Sequence, residues 1–132
     1  MTTPDLTRGR HQTVKKSHKA VIGALLVAEK PLCPVQYGRR TFWTLDFLMP
    51  SGPVWDILHP LILTENKVKG LLDAGFVVAD QNGELHLTRG GAMIAEGCES
   101  DWATYWDLHY ARRWPGLRMD WRSYFKTGQM RI

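Results

Sequence analysis

The sequence predicts a mainly α-helical protein with one small β-hairpin. Three observations predict it. Apolar residues Val68, Leu71 and Leu72 recur at three- and four-residue spacing before Gly75. The period then drops to two around Asn82-Gly83. From Thr88 onward the helical pattern returns and continues into an aromatic stripe.

In chain order, residues 1–16 are polar, basic and aperiodic, and read as a flexible basic arm. Ser17 is placed to cap a helix over 17–30, strongly apolar through Val21, Ile22, Leu25, Leu26 and Val27, and therefore central. Pro31 ends it. Leu32-Cys33 reads as a short strand that pairs with the later hairpin. Pro34, Gly38 and Pro50 argue for an irregular path, with a short helix near 44–49. Pro53 suits the first turn of a helix to about His59 that partly buries Trp55, Ile57 and Leu58, and Pro60 breaks it. His59 reads as a satisfied structural residue. Leu61, Ile62 and Leu63 turn the chain into the next helix.

Thr64 can cap that helix and Glu65 suits its first turn, where the dipole favours an anion. Gly75 stops it, because glycine takes the left-handed conformation without a Cβ penalty. Asn82-Gly83 is the strongest two-residue hairpin signal, since both turn positions need positive φ. A two-residue turn sets Val78 opposite Leu87 and Asp80 opposite Leu85. Phe76, Val78, Leu85 and Leu87 then share one face of the ribbon. Thr88 caps a further helix containing Ala92, Met93, Ile94 and Ala95.

This segment resembles the winged helix-turn-helix superfamily, in particular small bacterial and phage regulators of the MarR and PadR kind. The resemblance rests on Leu71-Leu72-Asp73-Ala74-Gly75-Phe76-Val77-Val78, Gly83, Leu87-Thr88, Gly91 and Ala95-Glu96-Gly97. It implies a winged-helix domain over 17–98, with the helix before Ala74-Gly75 as recognition helix and the hairpin as wing. It also implies double-stranded DNA as partner and a homodimer closed by terminal helices. Under that reading residues 64–74 enter the major groove. Asn66 suits adenine, and Lys67 and Lys69 suit guanine or phosphate. Thr64 and the helix N-terminus suit a phosphate. Arg39, Arg40 and Arg89 are candidate backbone contacts, and Gly70 would permit close approach.

Residues 99–132 form an aromatic and basic helical extension. Trp102, Tyr105, Trp106, His109 and Arg113 share one helical face with Tyr110 alongside, and the helix should stop before Pro115. With Trp114, this stripe is a candidate partner or dimer surface, or part of the core. Trp121, Tyr124 and Phe125 interleave with Arg118, Arg122 and Lys126, a mixture that suits stacking and phosphate binding, or packing.

A length of 132 residues fits one domain with short extensions. The net charge of +4 is uneven: the two ends sum to about +9 and residues 20–107 to about −5. The basic ends read as phosphate-tracking arms, or as solvated segments paired with Glu96, Glu99, Asp101 and Asp107. No apolar run approaches the ~20 residues that span a bilayer, and the N-terminus lacks a secretory apolar region. Cys33 and Cys98 read as two reduced thiols in a cytoplasmic or nucleoid-associated protein.

His11, His18, His59, His86 and His109 have no metal-ligand spacing, and no phosphate loop or nucleophile elbow occurs. The expectation is therefore a non-enzyme without metal or cofactor, a sequence-specific DNA-binding regulator. The wing tip, with Asp80 and Glu84, cuts against DNA binding. The alternative is a small phage or mobile-element protein that binds a host protein complex.

Overall fold

The computed structural model describes residues 14–50 and 55–130. Helix α1 spans Lys16–Ala28, strands β1 and β2 span Cys33–Tyr37 and Arg40–Thr44, and a 3-10 turn spans Asp46–Leu48. Helix α2 spans Glu65–Asp73, β3 Val77–Ala79 and β4 Leu85–Leu87. Helices α3, α4 and α5 span Arg89–Gly97, Glu99–Arg113 and Trp121–Thr127. The mainly α character holds, with two antiparallel hairpins rather than one, β1–β2 and β3–β4.

Helix α1 is apolar nearly all round because it is central: α3, α4, α5 and β4 all pack on it. Against it lies α4, whose Trp102, Trp106 and Tyr110 recur every four residues and are buried. Gly23 of α1 sits flush against the Trp102 ring, with no room for a Cβ. Trp106 is wholly buried and donates its indole N–H to the Ala20 carbonyl at 3.1 Å. Trp102 donates to Ala95 at 2.9 Å, so neither buried indole is left unpaired. Trp121, Tyr124 and Phe125 of α5 close the far side.

His59 ties the segment before α2 to this core. The Leu61 N–H points at Nδ1 at 3.1 Å, which leaves the ring hydrogen on Nε2, 2.8 Å from the Tyr110 hydroxyl. Tyr110 is in turn 2.6 Å from the Tyr124 hydroxyl. His59 is thus a satisfied structural residue, as expected. Burial foremost, then the neighbouring His109, pushes its imidazole down to about 4.

Several local expectations change. Helix α1 begins one residue before Ser17, with Lys15 at the N-cap position and no side-chain cap. It ends at Ala28 because Glu29 turns left-handed at φ 57°. Residues 55–59 form turns, not a helix, and Leu58 is 83% exposed. Pro53 and the arm up to residue 13 lie outside the described residues.

Leu72 does not face inward but is 39% exposed. Helix α2 meets mainly the strands β2 and β3, and Val68 and Leu71 fill that narrow contact. The stop at Gly75 is as expected: Gly75 has φ 80°, and the Phe76 N–H returns to the Leu71 carbonyl at 3.1 Å.

The β3–β4 register is one residue from the expected one. Val77 pairs with Leu87, Val78 with His86 and Ala79 with Leu85. The loop is Gln81-Asn82-Gly83, three residues with the left-handed position at Gly83 alone (φ 80°). Asp80 causes this, because its carboxylate accepts from the Asn82 and Glu84 N–H groups at 2.8 and 3.0 Å. The one-residue shift exchanges the faces of β3, so Val77 is buried and Val78 is 53% exposed, while Leu85 and Leu87 of β4 stay on the inner face. The Leu32 expectation holds: Leu32 and Leu85 exchange backbone hydrogen bonds at 2.9 Å.

Two outcomes test this packing. Gly23→Ala, which drives a methyl into Trp102, and Gly91→Ala, which meets the Phe76 carbonyl, should each lower unfolding free energy by about 1–3 kcal/mol in urea titrations. Gly97→Ala, facing open space, should be neutral or stabilising. Because the His59 imidazole is held below its unfolded value of 6.5, the unfolded chain takes up its proton first. Stability should therefore decline as pH falls from 6.5 towards 4, by about 3 kcal/mol in total, and His59→Gln should flatten that decline.

Candidate nucleic-acid interface

Thr64 caps α2 as expected, its hydroxyl accepting from the Lys67 N–H at 3.5 Å. With Val68 and Leu71 buried, Glu65, Asn66, Lys67 and Lys69 stand exposed. Lys69 is held by Asp73 at 2.9 Å across one helical turn, an exposed pair that weakly restrains it. Gly70 departs from its expected role. It is half-buried beside the His18 ring of α1, where a Cβ would stand in ordinary contact at 3.5 Å from Nε2, so it lies at the floor of a groove rather than on the outermost face.

A groove flanks α2 on each side. The first, of about 280 Å³, lies towards β1–β2 and is lined by Arg39, Arg40, Thr41, Thr64, Glu65 and Asn66. The second, of about 440 Å³, lies towards the start of α1; Lys15, Ser17, His18, Asn66, Lys67 and Gly70 line its polar side. Asn66 belongs to both. Thus Thr64, Asn66, Arg39 and Arg40, read separately in the sequence, converge. Lys15 was read only as part of the basic N-terminal arm, and Ser17, His18 and Thr41 were not read as part of this site.

The β1–β2 hairpin that carries Arg39 and Arg40 is fastened at several points. Trp43 exchanges backbone hydrogen bonds with Leu63 at 3.0 and 2.8 Å, just before α2. The Trp43 indole donates to the Gly83 carbonyl at 2.9 Å. Arg40 lies with its guanidinium carbon 5.1 Å from the Phe42 ring centroid. Among the described residues no carboxylate lies within ion-pair distance of Lys15, Arg39, Arg40 or Lys67. Burial, then the Lys15 charge, holds His18 below its usual value, so the second groove draws its positive charge from the lysines.

The β3–β4 tip has the opposite character. Asp80 pairs with His86 at 2.7 Å, and that bond foremost lowers its carboxyl. Arg89 is exposed at the start of α3 and lines neither groove.

The aromatic stripe belongs to the chain's own core. Trp102, Trp106 and Tyr110 are buried within it, and Tyr105 and His109 are half-buried, which removes most of the expected partner surface. Only Trp114 is exposed, stacked on Tyr110 with centroids 5.5 Å apart. Four cations of the basic ends are paired on the body: Lys19 with Asp101, Arg113 with Asp56, Arg122 with Glu99 and Lys126 with Glu29. Of the two readings of these ends, charge pairing on the body describes these four.

Compared with known proteins, the chain matches no family model, no curated protein and no solved structure. No helix among the described residues is long and apolar enough to cross a membrane.

Because Arg39, Asn66 and Lys67 are exposed and make no ion pairs among the described residues, their alanine variants should unfold within about 0.5 kcal/mol of the parent in urea titrations. Arg40→Ala should lose a further ~0.5 kcal/mol with its contact to Phe42.

Proposed function

We propose that this chain binds double-stranded DNA as a winged helix-turn-helix and acts as a sequence-specific transcriptional regulator. The observation that carries the reading is the position of Asn66, on the exposed face of α2 between two grooves. One groove is walled by Arg39 and Arg40, the other by Lys15 and Lys67. A helix about 10–12 Å across fits a major groove about 12 Å wide, with a phosphate strand on each side. Asn66 then reads an adenine edge and Lys67 a guanine or a phosphate. The arginines of β1–β2 hold one strand and Lys15 the other.

The β3–β4 wing takes no part in this grip. Its tip carries Asp80 and Glu84, which phosphates repel. A homodimer would place two α2 helices on successive major-groove faces. Its contacts would have to use exposed groups such as Leu108 and Trp114, since the rest of the stripe is internal.

The acidic wing favours a second reading, a phage or mobile-element protein that docks on a host protein complex. The two readings part on salt. Duplex affinity carried by Lys15, Arg39, Arg40 and Lys67 should fall with a log–log salt slope of about −3.5. Lys67→Glu with Arg39→Glu should weaken binding by roughly 100-fold or more, and Asn66→Ala should relax sequence preference. Fluorescence anisotropy with random and genomic duplexes reads each outcome. No binding at ~50 mM salt would leave the protein-docking reading.

A further inference from the structure

We propose that Cys33, Asp80, Glu84 and His86 form a binding site for a divalent transition-metal ion of the zinc class. The inference goes beyond DNA binding and stands independently of it. Linear spacing gives no hint of the site, because one donor is some fifty residues from the rest. The fold brings them together. Asp80 and Glu84 flank the three-residue β3–β4 loop, and His86 follows on β4. One ligating atom from each of these three lies within 4.8 Å of the others. Cys33 arrives from β1, which the Leu32–Leu85 bridge holds beside the wing, and its Sγ is 3.5 Å from a Glu84 carboxylate oxygen.

The alternative is an ordinary ion pair between Asp80 and His86, which leaves Glu84 unexplained. Among the described residues no lysine or arginine pairs with Asp80 or Glu84. Glu84 faces a thiol, a poor hydrogen-bond donor. Two half-buried carboxylates and a thiol therefore meet with a single imidazole to offset them. A bound cation reverses that balance and favours the thiolate.

The donor set is one sulfur, one nitrogen and two carboxylate oxygens, which suits four-coordinate zinc or cobalt over calcium or magnesium. Tetrahedral ligands at about 2.0–2.3 Å stand roughly 3.3–3.8 Å apart, so Asp80, Glu84 and His86 close by moving about 1 Å, and Cys33 joins them from the Glu84 side. The backbone N–H bonds to Asp80 both go to Oδ1, and Oδ2 lies 2.7 Å from His86 Nε2, a contact that the ion would replace. On binding, the Cys33 thiol releases its proton to solvent. His86 coordinates through the Nε2 lone pair with its ring hydrogen on Nδ1.

The test uses the full chain, stripped with a chelator and titrated with zinc ions by calorimetry, then with cobalt ions as a spectroscopic probe. One equivalent of zinc should bind, and His86→Ala and Glu84→Gln should each weaken it at least ~10-fold. The cobalt form should show intense tetrahedral visible bands and a thiolate-to-cobalt charge-transfer band that Cys33→Ser removes. His86 is exposed, so its variant should keep the parent circular dichroism. Absence of saturable zinc binding would overturn the proposal. So would unchanged affinity in the His86→Ala, Glu84→Gln double variant, or a cobalt spectrum without the thiolate band.

Discussion

The seam between α1 and α4 is the constraint on which the rest of the structure depends. Gly23 has no side chain, so the Trp102 ring can lie against the backbone of α1. One turn further along α4, the Trp106 indole donates to the Ala20 carbonyl, which fixes the register of the two helices. That closeness lets Trp106 and Tyr110 meet α5 on one side and His59 on the other. His59 then anchors the segment that leads into α2. The candidate recognition helix thus meets β2 and β3 more than the central helix, which it approaches where Gly70 lies beside His18, yet its position follows from the centre.

The sequence made visible what local chemistry decides. Thr64 and Thr88 cap their helices, Gly75 stops α2 and Pro115 follows the end of α4, because each depends on the residue itself and its near neighbours. What depends on one side chain's choice among partners was not visible. Asn82-Gly83 announced a two-residue turn, but the Asp80 carboxylate took the Asn82 and Glu84 N–H groups and made it three. That choice turned β3 over, Val77 inward and Val78 outward, while Leu85 and Leu87 of β4 kept the inner face. The β1–β2 hairpin was hidden behind Pro34 and Gly38, which read as breakers. Pro34 pairs with Trp43 on an edge strand of the two-stranded β1–β2 sheet, where a missing N–H costs little, and Gly38 makes the tight turn. The better signal was the alternating Arg40-Thr41-Phe42-Trp43-Thr44 that follows it.

The site was legible in the same uneven way. The exposed face of α2 follows from its period, so Asn66 and Lys67 could be placed. The grooves that frame them needed the tertiary structure, because Arg39 and Lys15 reach α2 from separate elements. The aromatic stripe and the basic ends illustrate the converse. Both look like partner surfaces in one dimension, yet Trp102, Trp106 and Tyr110 fill the core, and Lys19, Arg113, Arg122 and Lys126 are matched by carboxylates on the same chain. Lys15, Arg39, Arg40 and Lys67, unpaired among the described residues, stand around α2. The wing, acidic at its tip, has a different chemistry.

The central claim is that DNA is gripped by α2 between β1–β2 and the start of α1, with the wing standing clear. Backbone amide resonances followed by NMR as a short duplex is added test it most directly. The account predicts the largest shifts at Arg39 to Thr41, Thr64 to Gly70 and Lys15 to His18, with little change at Asp80 to Glu84. Shifts concentrated on the wing or along α4, with α2 unmoved, would contradict it.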